Sequence, residues 1–172
     1  WYIIYHQNIA RCMNTEAEDK RRKILIRHID KVRNNCNILG EKLIEKKELQ
    51  LGHNLIANGY CHDNSKFYGA EWLYLNDEAN EKEPVLFKAA CLHHITTNKH
   101  HPEAWEAGIH EMDRLHKAEM VCDWAARSSE FGTDLRGWIK NVATKKFNMT
   151  VQSKSYKEIK ELVDLLLDDP FK

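Results

Sequence analysis

Only seven glycines and three prolines occur among the 172 residues of this chain. Folds rich in strands need more turn-forming residues than this, so the scarcity of both types favours helices. The length is about that of one domain, which is enough to bury a core. The sequence therefore predicts an all-α fold, a single compact bundle of about six to seven helices.

Apolar residues recur at helical spacing along most of the chain. Gly40 is a candidate break within the first helix, and the polar segment Asn76–Pro84 is expected to form a loop. Helices are expected over residues 18–47, 51–67, 71–75, 85–95, 111–128, 135–147 and 153–167.

Charge and cysteine content exclude several classes of protein. Basic and acidic residues are equal at 26 each, so no net field attracts nucleic acid, although a local basic cleft stays open. No apolar run is long enough to span a membrane and no signal peptide is visible, so we expect a cytoplasmic protein. The cysteines form no CxxC pair, which argues against a zinc ribbon; they are Cys12, Cys36, Cys61, Cys91 and Cys122.

Histidine is the residue whose placement points to chemistry. The chain has ten, four of them in two adjacent pairs between positions 93 and 101, and His62 directly precedes Asp63. A lone histidine is usually structural, but clustered imidazole and carboxylate groups are typical ligands of Zn, Mn and Fe. We therefore expect a divalent transition metal, one or two ions of Mn, Fe, Ni or Zn.

Helical spacing suggests how some of these side chains share a site. Adjacent residues on a helix are about 100° apart, so His62 and Asp63 can both face one groove. Lys66 follows Asp63 by three positions and lies on the same side, where it either binds an anion such as phosphate or is a surface lysine. Glu119 and Asp123 also share a helix face among apolar neighbours; they either take part in a metal site or pair with a basic side chain.

The order of these residues resembles the HD-domain superfamily of metal-dependent phosphohydrolases. That superfamily has a histidine, then His-Asp, then further histidines, then an aspartate on a later helix. The extra histidines look like its two-metal branch, which includes cyclic-di-nucleotide phosphodiesterases with an HDxxK motif; the GYP signature of those enzymes is absent. A closer resemblance, over roughly His28 to Trp124, is to an uncharacterised bacterial and phage family with HDxSK, HxxxNxHHPE and EMxxDW motifs. The corresponding segments are His62–Lys66, His94–Glu103 and Glu119–Trp124.

The resemblance implies a single HD-like domain over residues 1–172. Its metal-site core would occupy about 24–128, and the C-terminal helices at 135–168 would pack on it. The expected metal ligands are His28, His62, Asp63, His94, His101 and Asp123. The expected catalytic residues are Lys66, His100 and Glu119. His53 or His6 can replace His28, and His93 or His100 can instead support a ligand or contact the substrate.

The function expected from this resemblance is hydrolysis of a phosphomonoester or phosphodiester of a nucleotide-like substrate. Asp63 would bridge two ions, Lys66 would stabilise charge on the phosphate, and His100 would protonate the leaving group. Two alternatives stay open. One is a mixed-valence di-iron oxygenase of the same superfamily, and the other is a metal-binding module without catalysis. The expected partner is a small phosphorylated molecule, with no membrane partner.

Overall fold

The computed structural model describes residues 16–168, and every regular element within them is helical. The helices are α1 (Glu16–Glu45), α2 (Leu49–Cys61), α3 (Gly69–Tyr74), α4 (Asp77–Lys82), α5 (Pro84–Thr97), α6 (Arg114–Phe131), α7 (Leu135–Trp138, continued by a π-helical turn at Ile139–Ala143 and by Thr144–Lys146) and α8 (Lys154–Leu167). Short 3-10 turns occur at Asn64–Phe67, Pro102–Ala104 and Gly108–His110. The predicted all-α fold is confirmed.

The helices α1, α2, α6 and α8 surround the main core. Helix α1 contributes an inward stripe that includes Val32, Leu39 and Leu43, and α2 adds Leu55 from the facing side. Helix α8 packs on both α1 and α6. Its start is capped by Ser153, whose side chain accepts a hydrogen bond from the Tyr156 amide. No helix in residues 16–168 has the length and apolar character needed to cross a bilayer.

Helices α1 and α2 approach each other closely through two glycines. Helix α1 continues through Gly40, so the expected break there is wrong; Gly40 is instead buried against α2. A Cβ on Gly40 would lie 2.6 Å from Ile56 Cγ1, and one on Gly52 would lie 2.6 Å from Ile44 Cγ1. Real Cβ atoms do not come this close, so the pair of glycines sets the separation of the two helices.

Helices α3, α4 and α5 pack mainly on one another and cover one side of the bundle. The expected loop at Asn76–Pro84 is wrong, because most of it forms α4. Asn76 caps α4 by accepting a hydrogen bond from the Ala79 amide, and the buried Ala79 is the one apolar anchor of this polar helix. Pro84 begins α5, where its missing N–H costs nothing.

We predict that Gly52→Ala destabilises the fold by about 1–3 kcal/mol, because the new methyl group overpacks the α1–α2 contact. His53→Ala is the matched control: His53 is exposed on the same helix and should change stability by less than about 0.5 kcal/mol. Urea denaturation of both variants measures the difference. Equal stabilities for the two would contradict a close contact at Gly52.

Candidate metal centre

The pair His62-Asp63 lies at a sharp turn just beyond the end of α2. His62 leaves the helical region with a ψ of 128°, and Asp63 has a φ of 55°, in the left-handed region that few non-glycine residues adopt. The expectation that both residues continue a helix is therefore wrong. The turn still aims both side chains inward, and Lys66, in the following 3-10 turn, donates a hydrogen bond from Nζ to Asp63 Oδ2.

Four more parts of the chain bring side chains to this turn. Helix α1 supplies His28 and α6 supplies Asp123, while His94 comes from the last part of α5. His100 and His101 follow in the short segment between α5 and the turn at Pro102–Ala104. The expected metal ligands therefore converge from distant positions, and the structure brings all six together.

The convergent atoms form three overlapping sets, which we assign to two groups of candidate ligands that share Asp63. The first ligand group is Asp63, His94, His100 and His101. The second ligand group is His28, His62 and Asp63, joined by Asp123. Within each set, one ligand atom per residue lies within 4.8 Å of the others. The three sets are Asp63/His94/His100/His101, His28/His62/Asp63 and His62/His100/Asp123.

Individual distances define the two groups more closely. In the first, Asp63 Oδ1 lies 3.4 Å from His94 Nε2 and 3.5 Å from His100 Nε2. His94 Nε2 lies 3.0 Å from His101 Nε2. In the second, His62 Nε2 is 3.6 Å from Asp63 Oδ2. Asp123 belongs to this group because its Oδ1 lies 3.0 Å from His28 Nε2.

Most of the convergent atoms are buried and lack a hydrogen-bond partner. Across residues 16–168, seven buried side-chain atoms have none, and five of the seven belong to the ligand groups. These five are His28 Nε2, His62 Nε2, His100 Nε2, Asp63 Oδ1 and Asp123 Oδ1. An unsatisfied buried polar atom costs roughly 1–3 kcal/mol, so five in one place need a common partner. Divalent cations bind imidazole nitrogen and carboxylate oxygen, so this set of residues fits a metal ion.

Three carboxylates contact the Nδ1 atoms of the imidazole rings and hold the rings in place. Glu130 Oε1 lies 3.2 Å from His28 Nδ1, and Glu71 Oε2 lies 2.8 Å from His94 Nδ1. Because a carboxylate only accepts hydrogen bonds, each Nδ1 carries the proton and each Nε2 keeps its lone pair for a cation. Such carboxylate–histidine pairs fix the orientation of metal-binding rings.

Glu119 holds one ring from each ligand group. Its Oε1 lies 2.9 Å from His62 Nδ1 and 3.3 Å from His100 Nδ1. Its other oxygen accepts a hydrogen bond from Asn58 Nδ2 at 3.0 Å. A single buried carboxylate thus connects the two groups without belonging to either.

A metal ion requires charged carboxylates and neutral imidazoles, which the pKa shifts of Asp63, His94 and His101 favour and that of His62 opposes. Burial alone would raise the pKa of Asp63, but Lys66 and the surrounding imidazoles hold it well below its usual range. Burial and two neighbouring imidazoles lower the pKa of His101 to about 3, and burial and Lys66 lower that of His94. Burial also opposes charge on His62, but the Glu119 carboxylate and nearby aspartates outweigh it and raise the pKa of this ring.

The placement of two residues differs from the roles expected for them. His100 is 4% exposed, and both of its ring nitrogens face carboxylates, so it lies among the candidate ligands and not at a free position beside a leaving group. Glu119 contacts rings and not the shared centre. Of the alternatives to His28, His53 is exposed on α2 and His6 lies outside the described residues. His93 contacts Glu71 and belongs to neither ligand group.

Sequence reasoning did not single out Glu71 and Glu130. Glu71 is 2% exposed and accepts hydrogen bonds from Ser65 as well as from His94. Its only signal in the sequence is an acidic residue in an otherwise apolar segment, Gly69–Tyr74. Glu130 lies one residue before the end of a helix, between Ser129 and Phe131, and carries no signal of its own.

The chain belongs to the DUF5662 family, a family of unknown function, whose profile matches residues 17–166. No curated protein and no solved structure matches the chain. Membership of this family assigns no activity to the chain.

We predict that Glu119→Gln weakens metal binding roughly 10–100-fold, because the neutral amide no longer orients both rings. Isothermal titration with Mn²⁺ measures the affinity, and Glu106→Gln, at an exposed position, is the control. Since Glu119 contacts His62 and His100, ions in both ligand groups should be affected. Unchanged affinity would show that Glu119 does not support the ligands.

Proposed function

We propose that this protein is a metal-dependent hydrolase of phosphate esters that binds two divalent cations, one in each ligand group. The observation that carries the proposal is that the two ligand groups share Asp63 while Lys66 contacts the same carboxylate. Two-metal hydrolases hold their ions about 3.5–4 Å apart, a distance that one carboxylate can bridge. The same arrangement is implied by the resemblance to the HD-domain phosphohydrolases.

The composition of the groups favours a catalytic site over a structural one. Structural zinc sites are usually closed, four-coordinate and rich in cysteine. Here the ligands are imidazoles and carboxylates, and none of the free cysteines in the described part of the chain is among the candidate ligands. Two ions held by seven side chains leave coordination positions for water and substrate.

Lys66 supplies the positive charge that an anionic substrate needs. Its ammonium group contacts Asp63, and its side chain is 19% exposed, so it reaches both the buried centre and solvent. A phosphate oxygen that replaces one water beside Asp63 would accept a charge-assisted hydrogen bond from Lys66. This bond strengthens as charge develops on the phosphoryl oxygens, which is how such a group increases the rate.

Each part of the chain then has a defined task in the hydrolysis. When bound, divalent cations polarise the phosphate ester and make water more acidic. Asp63 and Asp123 keep the negative charge that holds the cations, and Glu71, Glu119 and Glu130 hold the rings. The hydrolysis breaks the P–O ester bond; water supplies the hydroxyl to phosphorus and a proton to the leaving alcohol.

We predict metal-dependent release of phosphate from p-nitrophenyl phosphate or a nucleoside monophosphate, which Asp63→Asn abolishes. Lys66→Ala should lower kcat/KM roughly 10–100-fold at saturating metal, because a charge-assisted hydrogen bond contributes about 1.5–3 kcal/mol. Lys66→Arg should recover part of the loss. Lys88→Ala, an exposed lysine of α5, is the control and should leave the rate unchanged.

The alternative activities give different results in the same assays. Oxygen consumption and a visible charge-transfer band in the iron-loaded protein, without phosphate release, would favour the di-iron oxygenase. Tight metal binding with neither reaction would favour a binding module. Either outcome would overturn the proposed hydrolase.

A further inference from the structure

A cavity of about 300 Å³ opens beside the candidate metal centre. It is lined by Lys66, Leu75, Asn76, Asp77, Phe87, Cys91, His94 and Ile95. Two of these residues belong to the proposed site: His94 is a candidate ligand and Lys66 contacts Asp63. The remaining lining residues take no part in the proposed hydrolysis and are available to contact another part of a ligand.

Two walls of different chemistry form the cavity. One is a stripe along α5 from Phe87 through Cys91 to His94, which spans roughly 10 Å at 1.5 Å per residue. The other wall is the junction of α3 and α4, with apolar Leu75 followed by Asn76 and Asp77. The cavity therefore has a cationic side at the metal centre, apolar surfaces and one carboxylate.

The carboxylate of Asp77 is free to meet a ligand. No described side chain forms an ion pair or hydrogen bond with it, whereas its neighbour Glu78 pairs with Lys82 at 2.7 Å. The polar atoms of Asn76 are already used, since the side chain accepts from Ala79 and donates to the Leu73 carbonyl. Asp77 is thus the side chain of this wall that can select a ligand by charge.

We propose that this cavity binds the organic part of the substrate, and that the substrate is a phosphomonoester with one sugar- or nucleoside-sized group and no second phosphate. The inference rests on the proposed function, because the phosphate is placed at Lys66 and the ligand groups. The cavity is open to solvent, and its volume of about 300 Å³ is sufficient for one group of this size. Asp77 accepts hydrogen bonds from hydroxyl or amino groups and repels a second phosphate.

A second cavity, of about 390 Å³, lies on α8 and does not compete for this role. It is lined by Lys46, Lys157, Lys160, Glu161, Asp164, Leu165 and Asp168. Several of its charged groups form ion pairs: Lys160 pairs with Asp164, and Glu161 pairs with Arg114. None of its lining residues belongs to a ligand group.

Cys91 gives a measurement of cavity occupancy that does not depend on turnover. Its thiol lines the cavity, whereas Cys61 is exposed and outside it. Burial raises the pKa of the Cys91 thiol, so alkylation is best followed above pH 8. The metal-loaded protein is treated with iodoacetamide at increasing concentrations of AMP or adenosine 3′,5′-bisphosphate, and each cysteine-containing peptide is quantified by mass spectrometry.

We expect AMP to slow alkylation of Cys91 at least tenfold without protecting Cys61. The bisphosphate should need roughly tenfold higher concentration for the same protection. In Asp77→Asn this preference should shrink severalfold, while Glu78→Gln, one residue along the same helix, should keep it. Phe87→Ala should weaken protection by AMP, and Val85→Ala, an exposed residue of α5, should not.

The outcomes separate this inference from the proposed function. Phosphate release together with equal alkylation of Cys91 with and without AMP would overturn the cavity assignment and leave the hydrolase standing. A preference for AMP that survives Asp77→Asn would overturn the charge-selecting role of Asp77. Protection of Cys91 without any phosphate release would support the cavity and overturn the hydrolase.

Discussion

The structure depends on one buried carboxylate, Asp63, and on the uncompensated ligand atoms around it. A carboxylate that is 3% exposed is tolerated only where positive charge surrounds it, and Lys66 supplies part of that charge. Around it lie three imidazole nitrogens without hydrogen-bond partners, and the Nε2 atoms of His94 and His101, which contact each other at 3.0 Å. A fold that brings these atoms together from several helices gains most from a bound cation, because one ion satisfies several of the atoms at once. The left-handed turn at Asp63 has the same origin, since an uncommon backbone conformation persists only where its surroundings fix it.

The packing of the helices fixes the positions of the candidate ligand side chains. Each contributing helix is anchored elsewhere: α1 and α2 by the glycine contact, α6 by the core and α5 by its packing on α3 and α4. Glu71 then links α3 to α5 through His94, and Glu119 links α6 to the end of α2 through His62. Because these carboxylates come from neighbouring helices, the geometry of the site depends on how the helices pack. A site built in this way suits a reaction whose rate depends on a fixed arrangement of charge.

Much of this arrangement follows from local sequence, and the remainder depends on packing. The scarcity of glycine and proline and the helical spacing of apolar residues were enough for the all-α fold. The His62-Asp63 pair and the histidines near position 100 indicated the candidate ligands, because few other uses bring imidazole and carboxylate together so densely. The turn at Asp63 was not predictable, since a positive φ there is imposed by distant contacts. Glu71 was missed for the same reason: an acidic residue in a short helix looks solvent-exposed until the packing of α3 on α5 buries it. The short α4 was taken for a loop because only Ala79 marks its buried side.

The most direct test of the account is the number of metal ions per chain. Protein purified without chelator and loaded with Mn²⁺ or Fe²⁺ should contain about two ions by elemental analysis, as a shared carboxylate between two ligand groups requires. Asp63→Asn should lose both, whereas His101→Ala and His28→Ala should each lose one, from different groups. Less than about a tenth of an ion per chain after loading would contradict the metal centre, and a single ion that survives Asp63→Asn would contradict the shared ligand.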